Sequence, residues 1–70
     1  MKRTLIIEGM MCEHCEKRVK KALEALEYVS EAVVDHTKGS AVVKSSMIIP
    51  DELLKKAVED QGYKVIDFRP

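Results

Sequence analysis

Two rhythms alternate along this chain. In Thr4-Leu5-Ile6-Ile7-Glu8 the side chains alternate between faces, Leu5 and Ile7 on one, Thr4, Ile6 and Glu8 on the other, which predicts a strand ended by Gly9. From about Glu13 to Glu27 the period lengthens. Val19, Ala22, Leu23 and Leu26 recur every three or four residues, the stripe of an amphipathic helix, and Cys15 lies one turn earlier on that stripe. Glu13 with Lys17, and Glu16 with Lys20, are spaced as ion pairs on its outer face. Alternation returns in Val29 to Asp35 through Ala32 and Val34, and in Ser40 to Lys44 through Ala41 and Val43. The turn His36-Thr37-Lys38-Gly39 joins them into a hairpin. Pro50, followed by Asp51 and Glu52, opens a second helix with the stripe Leu53, Leu54, Ala57 and Val58, and Gly62 stops it. Tyr63 to Phe68 is a last strand.

The order is βαββαβ. Two right-handed crossovers on one antiparallel sheet give an α+β, ferredoxin-like sandwich: four strands with both helices on one face. The helices cover Leu5, Ile7, Ala32, Val34, Ala41, Val43 and Val65, leaving Ile6, Val33 and Val42 on the open face. This topology brings Gly9 to Cys15, the turn around His36 and the Gly62-Tyr63 turn to one end, with Met47 at the other.

Seventy residues make one domain, spanning 1–70. Lysine plus arginine and aspartate plus glutamate both number 12, so no net field attracts nucleic acid or a membrane surface. The aromatic residues Tyr28, Tyr63 and Phe68 are too few for a base-stacking platform. No run approaches the roughly 18 apolar residues of a membrane span, and Met1-Lys2-Arg3 precedes only Leu5-Ile6-Ile7, short of the apolar stretch of about 7–15 residues in a signal peptide. The chain is expected to be cytoplasmic. In a reducing compartment its two cysteines suit metal or redox work better than a structural disulfide.

Those cysteines stand in Gly9-Met10-Met11-Cys12-Glu13-His14-Cys15, where a strand turns into a helix. Backbone amides and the helix dipole favour thiolates there. Two thiolates on one loop suit either a soft metal ion or thiol–disulfide exchange. On the residues alone both stay open.

With Val19, Ala22-Leu23 and the distal Glu59-Asp60-Gln61-Gly62-Tyr63-Lys64-Val65, this motif resembles the heavy-metal-associated domain family over nearly the whole chain. Within it the chain is most similar to small bacterial copper chaperones that supply copper-transporting P-type ATPases. The resemblance implies a carrier, not an enzyme. Cu(I) would be held by Cys12 and Cys15 and passed by ligand exchange to the soluble metal-binding domain of such an ATPase. It implies a monomer, or a copper-bridged dimer where competing thiols are scarce. Met10 is expected to point inward and support the loop, Gly9 to supply its backbone conformation, and Met11 to stand exposed or touch the metal transiently. His14 would face solvent and tune the thiolates, while Tyr63 would pack under the loop with its hydroxyl near a thiolate. Lys17, Arg18, Lys20 and Lys21 are a solvated helix face or a docking patch for an acidic partner. His36 reads as a turn residue. The chain departs from the family at Met11, where Thr or Ser is usual, and at Ile49, where the second helix often has a Ser or Thr cap.

Other readings compete. Hg(II) also favours two thiolates, though its periplasmic carriers need a signal peptide. Zinc or cadmium domains tend to carry an acidic residue where this chain has Met11. A thiol–disulfide oxidoreductase would place Gly-Pro, not Glu13-His14, between the cysteines. The chain could also be one domain of an ATPase or mercuric reductase, although it begins with Met1.

Overall fold

The computed structural model describes residues 1–69. The strands are β1 (Lys2–Glu8), β2 (Val29–Asp35), β3 (Ser40–Ser45) and β4 (Lys64–Arg69). The helices are α1 (Glu13–Glu24) and α2 (Asp51–Glu59). The strands form one sheet in the order β2-β3-β1-β4, with every neighbouring pair antiparallel. This is the expected ferredoxin-like βαββαβ arrangement, and α1 packs on β2 while α2 packs on β4.

The core follows the alternation. Leu5, Ile7, Ala32, Ala41, Val43 and Val65 are buried from the sheet, and Val19, Leu23, Leu54 and Val58 from the helices. Leu5, Leu23 and Leu54 are fully buried, each worth about 1.5–3 kcal/mol of transfer free energy. Two expectations need correction. Val34 is only partly buried, because β2 is the edge strand and Val34 borders a cleft against Glu16, Lys17 and Lys20 of α1. Leu53 is half exposed, and Ile49, ahead of the helix, takes the core position instead.

Boundaries shift slightly. β1 begins at Lys2, two residues earlier than the alternation suggested, because Lys2 and Arg3 pair with Lys44 and Val43 on β3. α1 ends at Glu24 rather than near Glu27, and the chain reverses through Tyr28, a non-glycine at φ +73°. Pro50 caps α2 instead of starting it, since its ψ of 141° is extended. At one end of the sheet, the Ile7 amide donates to the Gly39 carbonyl at 2.7 Å. That bond ties the end of β1, which leads into the cysteine loop, to the β2–β3 turn.

Candidate metal centre

Glu8 closes β1 opposite Lys64, and Gly9 turns the chain out of the sheet at φ +101°. That φ is what calls for glycine here; a Cβ would make only an ordinary 3.5 Å contact with Tyr63 Cδ1. Met10 is buried and joins the core cluster, which anchors the loop from beneath. Met11 is 83% exposed.

Cys12 is the N-cap of α1. Its backbone is extended, and its carbonyl accepts the Cys15 amide at 3.1 Å and the Glu16 amide at 3.2 Å. No side chain caps the first turn, so that end of the helix keeps its positive partial charge for the sulfurs. The Cys12 and Cys15 sulfurs are 3.7 Å apart, well beyond the roughly 2.03–2.05 Å of a disulfide, and both thiols are free. Cys12 is exposed and Cys15 partly buried.

The Cys15 thiol is lowered from 9.0 to about 7, chiefly by hydrogen bonding from the Tyr63 side chain, then by the Met11 backbone and Cys12. The same contact with Cys15 pushes the Tyr63 hydroxyl up, while Arg18 beside it pulls the other way. Tyr63 is partly buried against the core cluster, with its ring beside Gly9. His14 is exposed on the first turn, and Lys17, Arg18, Lys20 and Lys21 are all exposed along α1. Lys17, Lys20 and Lys21 line a shallow depression with Glu24 and Ala25.

The sequence reading missed what Glu16 does. Among the described residues it makes no ion pair with Lys20, nor Glu13 with Lys17. Instead Glu16 Oε2 accepts the His36 backbone amide at 2.7 Å and pairs with His36 Nδ1 at 2.5 Å. Two turns along, Glu24 accepts the Ala32 amide at 3.2 Å. β2 is a sheet edge whose outward amides have no strand partner, and two glutamates of α1 satisfy them. His36 is therefore more than a turn residue: it joins α1 to the β2–β3 turn.

The model for the heavy-metal-associated domain matches residues 4–64. The chain belongs to the heavy-metal-associated domain family. It is 39% identical over 64 residues to the copper chaperone CopZ of Staphylococcus haemolyticus, covering 90% of this chain and 94% of that protein. It is 40% identical over 57 residues to copper-transporting ATPase 1 of Rattus norvegicus, covering 80% of this chain but only 4% of the ATPase. Among solved structures, a CopZ metallochaperone superposes with a TM-score of 0.89 at 34% identity, over 94% of this chain and all of that one. Among the described residues, no helix is long and apolar enough to cross a membrane.

Proposed function

We propose that this domain carries Cu(I) on Cys12 and Cys15 and hands it, by thiolate exchange, to a CxxC domain of a copper-transporting P-type ATPase. The observation that supports this most is the pair of free sulfurs 3.7 Å apart at an uncapped helix N-terminus, one of them exposed. Cu(I) is soft and prefers thiolate to nitrogen or oxygen donors. Two sulfurs leave the ion open to an incoming thiolate, whereas a closed four-ligand site would be slow to unload.

The charges fit such a role. One Cu(I) on two thiolates is net −1, and the helix N-terminus and Arg18 lie close enough to offset it. Each incoming thiolate displaces one original sulfur, so two successive exchanges move the ion to the partner with charge and coordination number restored after each. Lys17, Arg18, Lys20 and Lys21 form a basic face beside the sulfurs that would speed encounter with an acidic partner. The chain has no proposed catalytic residue and acts as a carrier.

The test is an anaerobic Cu(I) titration against a competing chelator in millimolar glutathione, with Zn(II) and Hg(II) in parallel. One tightly held Cu(I) per chain, Zn(II) far weaker, is the expected result. Cys12→Ser and Cys15→Ser should each weaken Cu(I) binding by more than the roughly 10–100-fold that loss of a supporting contact costs. Unchanged affinity in either variant would overturn the assignment. A preference for Hg(II) that persists in glutathione would point to a mercury carrier instead.

A further inference from the structure

Beside the sulfurs lies a second donor set made of nitrogen and oxygen. Glu16 comes from the first turn of α1, Asp35 is the last residue of β2, and His36 opens the β2–β3 turn. One ligand atom from each lies within 4.8 Å of the other two, all three side chains are partly buried, and neither sulfur belongs to the set.

Each carboxylate is anchored through a single oxygen. Glu16 Oε2 takes both His36 contacts. Asp35 Oδ1 takes the Thr37 amide at 2.9 Å, the Thr37 hydroxyl at 2.6 Å and the Lys38 amide at 3.4 Å. Among the described residues, Glu16 Oε1 and Asp35 Oδ2 have no hydrogen-bond partner. Among the described residues no lysine or arginine makes an ion pair with either carboxylate; Glu16 pairs with His36, whose charge depends on protonation, and the Lys38 charge acts on Asp35 without pairing with it. With a neutral imidazole the cluster carries −2.

We propose that Glu16, Asp35 and His36 form a second, thiolate-free site for a borderline divalent cation of the Zn(II) class. Imidazole nitrogen selects Zn(II), Co(II) or Ni(II) over Mg(II) and Ca(II), and the absence of sulfur makes the site a poor one for Cu(I). Bonds of about 2.0–2.1 Å place tetrahedral ligands about 3.3 Å apart, so the 2.5 Å Glu16–His36 contact opens while wider gaps in the set close, leaving a position for water. Any proton on the imidazole nitrogen that binds is released to solvent. The ion would replace the direct Glu16–His36 side-chain contact with a metal bridge. The first turn of α1 and the β2–β3 turn would then be joined through a cation, one residue from Cys15.

The test uses the full chain carrying Cys12→Ser and Cys15→Ser, so that thiolate binding is gone whatever becomes of the copper reading. Titration with Zn(II), and with Co(II) followed by absorption, should give one ion per chain. Co(II) should show d–d bands without sulfur-to-metal charge transfer. His36→Gln keeps the backbone amide that Glu16 accepts, and Asp35→Asn keeps the acceptor oxygen of the turn. Each should weaken binding by more than the roughly 100-fold upper reach of a supporting contact. If His36→Gln does not fold, Asp35→Asn decides alone. Absence of one-to-one binding, binding untouched by these changes, or binding abolished by His14→Ala would overturn the proposal.

Discussion

The two donor groups at the head of α1 are held in opposite ways. The sulfurs of Cys12 and Cys15 contact each other at 3.7 Å, Cys15 has the Tyr63 side chain beside it, and Cys12 is exposed. One residue further on, Glu16 is fixed by the backbone and ring of His36, and through them to the edge of the sheet. A sulfur with few partners is free to change ligands. A carboxylate that satisfies an edge amide holds two elements in place. Within a single helical turn the chain passes from sparsely partnered sulfurs to a carboxylate clasp, between the buried Met10 and Val19.

The contrast breaks most visibly in the core. Leu23 is fully buried between α1 and the sheet. A leucine-to-alanine change at such a site costs about 2–5 kcal/mol. At roughly 0.05–0.15 kcal/mol per residue, the domain has about 3.5–10 kcal/mol in total. Leu23→Ala should therefore remove a large share of the stability measured by urea denaturation. Cys12→Ser, at an exposed position, should stay within about 0.5 kcal/mol of the parent. A fold that depended on Cys12 as strongly as on Leu23 would mean that the loop is part of the core.

The clasp should yield to acid before the core does. The folded Glu16 carboxyl titrates below its ordinary value, chiefly through the His36 amide and then the His36 side chain. A depressed carboxyl adds stability above its unfolded pKa, and that stability is lost as pH falls through the folded value. Glu16→Gln should accordingly be less stable than the parent at neutral pH, and the two should converge as the medium becomes strongly acidic. Melting curves across that range check the sign; a gap that widened toward acid would show that Glu16 is not the charged partner of His36.

The fold could be read in the sequence because alternation is a local signal. Leu5 and Ile7, Ala32, Ala41 and Val43 each declare a face within five residues, and the CxxC motif is contained in seven. The Glu16–His36 contact joins residues 20 apart in sequence. On a helix wheel Glu16 pairs as naturally with Lys20, and only the packing of α1 against an edge strand turns it elsewhere. Val34 differs for a related reason: alternation shows which face a residue occupies, but not that the face is left partly open at an edge strand. At Ile49 the core position is supplied by a residue outside any periodic element. The inward turn of Met10 and the place of Tyr63 beside the thiols came from the family resemblance, since no local periodicity marks either one.

The smallest change that separates the two donor groups is removal of one hydroxyl. Hydrogen bonding by Tyr63 is the largest cause that brings Cys15 from 9.0 down to about 7. In Tyr63→Phe the ring remains against Gly9 and the loop keeps its seat, while the thiolate loses its strongest partner. The Cys15 pKa should rise from about 7 toward 9.0, which alkylation rates against pH would report in a Cys12→Ser background. The stability of the metal-free, reduced domain should move with it. A thiol whose pKa is depressed in the fold stabilises it fully above the unfolded value and loses that contribution as pH falls through the folded one. The parent should therefore gain stability from about pH 7 to 9, and Tyr63→Phe should gain less over the same interval, with the Glu16 acid transition unmoved. A Tyr63→Phe variant whose alkylation profile matched the parent would assign the reactivity of Cys15 to the helix N-terminus and the Met11 amide alone.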